Sequence, residues 1–146
     1  MSSMFAYICL GSDDLERSAT FYDATLGVLG WARCDTSAES TTSWNGWIGW
    51  GRYEQDGAVQ DALWLCKPYN AQPASVGNGS MVALWAKRWR DVDAFHAAAL
   101  TNGGTSEGAP GLRLLYNPDF YAAYVRDPDG NKLAVVCRGF TSLQGQ

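Results

Sequence analysis

The run from Phe120 to Arg138, FYAAYVRDPDGNKLAVVCR, constrains this chain more than any other stretch, because two apolar, strand-forming segments flank an explicit turn. Pro128 presets the backbone for the first central turn position, Asp127 and Asp129 can bond their own backbone, and Gly130 tolerates positive φ. The reading is a β-hairpin. Side chains alternate with period two: Tyr121, Ala123 and Val125 on one face, Phe120, Ala122, Tyr124 and Arg126 on the other. Past the turn, Leu133, Val135 and Cys137 alternate with Lys132, Ala134 and Val136.

The hairpin closes a pattern that occurs twice. Phe5 to Leu10 is a short strand run, followed by Gly11 and the helix-capping cluster Ser12, Asp13 and Asp14. Asp13 with Glu16 has the spacing of a capping box, and Leu15, Ala19, Tyr22 and Leu26 recur at helical spacing. Three strands are expected next, from WARCDTS, SWNGWIGWGRY and DALWLCKPY. Residues 70–79, NAQPASVGNG, are small, polar and without periodicity, which marks a linker. Then Met81 to Leu84 repeats the Tyr7 to Leu10 run, DVDAFHAAALTNGG repeats DLERSATFYDATLG, and KLAVV echoes ALWLC. Each half therefore reads strand, helix, strand, strand, strand. Between the second helix and the hairpin, Gly and Pro dominate Thr105 to Asp119, and Leu112 to Tyr116 is the one candidate strand there.

With 146 residues, nearly half of them apolar, the chain is large enough for one domain with its own core. No basic leader precedes a long apolar run, and none approaches the ~20 residues of a membrane span. The expectation is a soluble, cytoplasmic protein. Cys9, Cys34, Cys66 and Cys137 lack metal or disulfide-scaffold spacing, so reduced thiols are expected. A net charge of -4 with no Lys/Arg run excludes nucleic acid and anionic membranes as the expected partners. A small-molecule ligand is the expectation.

The run YVRDPDGNKL, at the end of a chain that begins with a strand, a DDLERSATFY helix and a Gly-Trp pair, resembles the vicinal oxygen chelate superfamily of glyoxalases, extradiol dioxygenases, fosfomycin-inactivating enzymes and bleomycin-binding proteins. The resemblance covers nearly the whole chain. It implies an α+β fold of two βαβββ modules whose curved sheets form a paired cleft: module one at about 4–69, a linker at about 70–79 and module two at about 80–140, all within a single domain over 1–146. It also implies a homodimer.

In the metal-dependent members of that superfamily, a His or Gln in each first strand and a Glu in each last strand supply the donors of an octahedral divalent ion. Carried over residue by residue, those positions fall on Tyr7, Trp64, Met81 and Ala134. A thioether is a poor donor for hard ions, and Ala and Trp donate nothing, so neither metal nor other cofactor is expected. The only histidine, His96, is expected on the second helix beside the stripe of Val92, Phe95 and Ala99. The Asp127 to Asn131 run is rejected as a calcium loop because its glycine comes two places early and Arg138 replaces the bidentate Glu.

The resemblance thus leaves an aromatic and apolar set where a metal would sit: Tyr7, Trp64 and Met81, with Ala134 leaving space beside them. Tyr116, Asn117 and Tyr121 are candidate residues of the cleft mouth. Trp44, Trp47 and Trp50 are further candidates, with Trp47 on the opposite face from the other two. Three readings follow. One is a metal-free protein that binds a small aromatic or amphipathic molecule, for which net negative charge would suit a cation. Another is a lyase or dioxygenase of the same superfamily, working through Tyr7, Tyr116, Tyr121 or Asn117. The third is a protein whose modules mainly build a dimer. On the first reading, Trp64→Ala is expected to remove ligand binding from a protein that stays folded.

Overall fold

The computed structural model describes residues 4–36, 46–54 and 57–139. Their order is β1 (Tyr7–Gly11), α1 (Leu15–Val28), β2 (Trp47–Glu54), β3 (Val59–Cys66), β4 (Val82–Trp85), α2 (Trp89–Thr101), β5 (Thr105–Leu112), β6 (Tyr121–Arg126) and β7 (Lys132–Cys137). They form two sheets, β1-β3-β2 and β4-β7-β6-β5. In each, the strand before the helix runs parallel to the last strand of its module, and the other pairs are antiparallel. The fold is α+β.

The internal repeat appears as matched registration. Cys9 lies opposite Trp64 in the first sheet, and Ala83 lies opposite Ala134 in the second. The same offset relates Tyr7 to Trp64 and Met81 to Ala134, so the four carried-over positions occupy equivalent places in the two modules.

One expected strand is reduced: over residues 31–36, the described part of WARCDTS, there is an isolated antiparallel bridge between Arg33 and Trp50. The Cys34 N–H donates to the Gly49 carbonyl at 2.8 Å and the Gly51 N–H to the Ala32 carbonyl at 3.1 Å. Beyond the backbone, Arg33 makes a bidentate contact with Asp23 of α1, at 2.9 and 2.8 Å, and Trp50 Nε1 donates to the same carboxylate at 2.9 Å. The Arg33 hydrogen bond holds the Asp23 carboxyl below its ordinary value, against some desolvation. Its contribution to stability is present above about pH 4 and is lost as pH falls through the lowered folded value. Because Arg33 and Asp23 are about half exposed, solvent screens them, and Arg33→Gln should cost only ~0.5 kcal/mol at neutral pH. NMR titration should show the Asp23 pKa rising in that variant; an unmoved value would remove Arg33 as the cause.

A second correction concerns Leu112 to Tyr116. The strand ends at Leu112 and occupies the Gly- and Pro-containing residues before it. β5 is an edge strand, where Pro110 needs no ladder N–H and where glycines accommodate the register shifts between Ser106 and Gly111. Residues after it turn back, with the Tyr116 N–H donating to the Arg113 carbonyl at 2.9 Å. The third correction is local: Asp14, not Asp13, caps α1, its carboxylate accepting from the Arg17 N–H at 3.1 Å. Asp13 instead accepts from the Ala74 N–H at 2.7 Å, tying the segment between the modules to the start of α1.

Among the described residues, the larger core lies under both helices. Ala19, Phe21, Tyr22 and Leu26 of α1 meet Val92, Phe95 and Ala99 of α2, with Trp50, Leu63, Leu65, Ala123, Val125, Leu133, Val135 and Cys137 from the sheets. The expected stripes on both helices and the expected hairpin alternation therefore hold. Each fully buried Phe, Leu or Val here contributes roughly 1.5–3 kcal/mol.

Candidate functional site

Because the core takes one face of each sheet, alternation turns the other face away from it. In the first sheet the outward face carries Tyr7 and Cys9 of β1, and Ala62, Trp64 and Cys66 of β3. In the second, Ala122, Ala134 and Val136 form a separate small cluster with Phe120 and Tyr124. Leu84 and Val82 pack on the core, so Met81, Ala83 and Trp85 point the other way.

Of the residues singled out in the sequence, seven lie on or beside these outward faces, Trp47 opposite Cys66 among them, but in different states. Tyr7 and Met81 are about half exposed, at 53% and 47%. Trp64 is only 2% exposed. Its indole lies flat against Gly49, where a Cβ would come within 2.3 Å of the ring, and the Tyr53 ring meets it edge-on with centroids 5.3 Å apart. Ala134 is likewise covered, at 1% exposure, beneath Phe120 and Tyr124. It therefore leaves no open space of the kind expected. Tyr116 is exposed and packs edge-on against Phe120, and Asn117 is exposed in the same loop.

Tyr121 is not with them. It points toward the helices, stacked on Trp89 at 4.5 Å between centroids, and its hydroxyl donates to Asp93 at 2.6 Å. Burial and the Asp93 carboxylate push its pKa up to about 12. Tyr22 and Tyr124 also shift upward, each chiefly by burial, away from the neutral range a general acid or base requires. Trp47 and Trp50 alternate as expected, Trp50 entering the core. Trp44 lies outside the described residues. His96 sits on α2, its Nε2 2.9 Å from the Ser106 hydroxyl.

Three residues on the outward faces were missed. Cys9 stands beside Trp64, Trp85 is 73% exposed, and Tyr124 has the cations of Arg113 and Lys132 at 5.4 and 5.8 Å from its ring centre. Arg138 similarly lies 5.6 Å from the Phe120 ring. Period-two alternation carried on from Met81 reaches Trp85, and the hairpin register sets Tyr124 opposite Ala134. What the sequence did not signal was the local positive charge around these rings in an acidic chain.

The chemistry of the donor set does not suit a hard divalent ion. Of Tyr7, Trp64, Met81 and Ala134, only the Tyr7 phenol offers an oxygen, and Trp64 and Ala134 are packed against protein. Among the described residues, no three His, Cys, Asp or Glu side chains are grouped to hold a metal. Also among them, no helix is long and apolar enough to cross a membrane.

These features sit in a fold with many relatives. The family model for the Glyoxalase/Bleomycin resistance protein/Dioxygenase superfamily matches residues 4–135, and the chain belongs to that superfamily. Among solved structures, it is similar to a glyoxalase/bleomycin resistance protein from Albidiferax ferrireducens, with 37% identity, a TM-score of 0.74, and coverage of 94% of this chain and 100% of that one. A glyoxalase-related enzyme from Fulvimarina pelagi aligns at 21% identity and TM-score 0.66, covering 97% and 95% of the two chains. The fosfomycin resistance protein of Listeria monocytogenes, solved with Mn(II) and a dihydroxypropylphosphonic acid, shares the fold at 14% identity and TM-score 0.63, covering 96% and 95%. No curated protein matches the chain.

Proposed function

We propose that this protein is a glyoxalase/bleomycin-resistance-like binder that works as a cytoplasmic homodimer, without a divalent ion, and holds a small aromatic or amphipathic molecule against the outward sheet faces. The observation that carries the reading is the exposure of Tyr7, Met81, Trp85 and Tyr116, at 53%, 47%, 73% and 63%, where a single chain leaves large apolar side chains in water. A second copy and a ligand together would cover them. Arg113 and Lys132 beside Tyr124 favour an aromatic ligand with an anionic end over the cation that net charge alone would suggest.

The probe 8-anilinonaphthalene-1-sulfonate has that chemistry. Saturable binding is expected, weakened about tenfold in Trp85→Ala, the equivalent of ~1.4 kcal/mol. Sedimentation should give a dimer at micromolar concentration. Absence of saturable binding, or equal affinity in Trp85→Ala and Met81→Ala, would sink the ligand reading, and a monomer would sink the assembly. The alternative is a lyase or dioxygenase of the same superfamily. Elemental analysis after incubation with manganese, iron, nickel and zinc, then desalting, separates the two: stoichiometric retained metal would favour the enzyme.

A further inference from the structure

On the outward face of the first sheet, Cys9 and Cys66 bring their sulfurs to 2.7 Å. Cys9 lies opposite Trp64 and Cys66 opposite Gly11, so the two are diagonal neighbours on paired parallel strands, and Gly11 puts no side chain between them. Cys9 is exposed, whereas Cys66 is buried at 5% exposure. Two thiolates sharing a tetrahedral zinc, each bonded at ~2.3 Å, would stand roughly 3.8 Å apart. A disulfide bond is about 2.05 Å. The observed separation is nearer the second.

We propose that Cys9 and Cys66 are a peroxide-sensitive dithiol that closes reversibly into a disulfide joining β1 to β3. The Cys9 thiolate attacks one oxygen of hydrogen peroxide, breaking the O–O bond; the departing hydroxide takes up the thiol proton and leaves as water, with a sulfenic acid on Cys9. The Cys66 sulfur then attacks the Cys9 sulfur, the S–O bond breaks, and the Cys66 proton leaves with the hydroxyl as a second water. Two thiols are oxidised by two electrons and one peroxide is reduced to two waters. The polarity of the pair fits this order. Hydrogen bonding from Cys66 lowers the Cys9 pKa against the effect of burial, while the same contact and burial raise that of Cys66. Cys9 is exposed, so the closed disulfide stays open to thiol exchange, which makes the closure reversible.

The test needs no ligand and stands apart from the proposed function. Each of the four cysteines falls on its own tryptic peptide: Cys9 in 1–17, Cys34 in 34–52, Cys66 in 53–87 because Pro68 protects Lys67, and Cys137 in 133–138. After reduction, desalting and one equivalent of hydrogen peroxide, non-reducing digestion should yield peptide 1–17 linked to 53–87. Free thiols should fall from four to two and return with dithiothreitol. In Cys66→Ala, dimedone should trap a sulfenic acid on Cys9 several-fold more than in wild type, and Cys9→Ser should form no link. An unchanged thiol count, links to other peptides or to a second 1–17, or equal dimedone labelling of wild type and Cys66→Ala would overturn the proposal.

Discussion

Replacing Trp64 with alanine is expected to lower the free energy of unfolding by about 3–5 kcal/mol, the range for deleting a large buried aromatic side chain. The indole is 2% exposed and fills the space over Gly49 beside Tyr53, so its loss leaves a void that neighbouring backbone cannot close. This revises the expectation that Trp64→Ala would affect ligand binding alone: any loss of binding in that variant has to be separated from loss of fold. Gly49→Ala makes the complementary error, because its Cβ would fall within 2.3 Å of the ring and force it to move. If the two residues act as one contact, Gly49→Ala should be costly in the wild type and nearly neutral beside Trp64→Ala. Urea unfolding of the four proteins measures this, and additive effects would show that the ring does not depend on Gly49.

Asp127→Ala should have an effect of similar size, for a different reason. The hairpin turn is also the clamp between the modules. Asp127 is 3% exposed, and its carboxylate accepts from the Asp129 and Asn131 N–H groups at 2.9 and 2.8 Å, from Asn131 Nδ2 at 2.9 Å, and from the hydroxyl of fully buried Tyr22 on α1. Asp129 accepts from Arg17 at 2.8 Å and from the Ser18 hydroxyl, and Asn131 reaches the Gly11 carbonyl at 3.0 Å. Removing the Asp127 carboxylate strands the buried Tyr22 hydroxyl, at about 1–3 kcal/mol, and three part-buried N–H donors that cost less each, so a total near 3 kcal/mol is expected. At this chain length that is a fall in Tm of roughly 10 °C. Tyr22→Phe should cost less, since Asn131 still satisfies the same oxygen.

The pH dependence has a definite sign. Burial raises the Asp127 pKa, against the hydrogen bonds that lower it. The folded protein thus keeps this proton to higher pH than the unfolded chain does. The associated stability is complete below the ordinary carboxylate value of about 4 and declines as pH rises through the folded value. The stability gap between wild type and Asp127→Ala should therefore narrow over that interval. A gap that widened there would mean that the hydrogen bonds, not burial, dominate.

Much of the fold was legible because it rests on local rules. The turn at Pro128 to Gly130, the alternation along β6 and β7, the helical stripes and the repeated order of elements each arise from a few neighbouring residues. The failures came where pairing partners decide. WARCDTS has strand composition, yet its described residues 31–36 meet β2 at a single bridge and are anchored through Arg33 to α1. Residues 105–111 have loop composition, yet an edge position lets their glycines and proline form a strand.

The candidate site divides in the same way. Sequence by itself determined which face of each strand a residue occupies, because alternation follows from backbone geometry, whereas the choice of Tyr7, Trp64, Met81 and Ala134 as the positions of interest came from the family resemblance. Only the tertiary structure decided which of them meet solvent. Trp64 is covered because Gly49, on another strand, has no side chain; Ala134 is covered because Phe120 and Tyr124 lean over it; Tyr121 turns away to stack on Trp89 of α2. The approach of Cys9 to Cys66 likewise depends on two strands separated by most of a module. Exposure and proximity are set by distant neighbours, and no pattern within one strand encodes them.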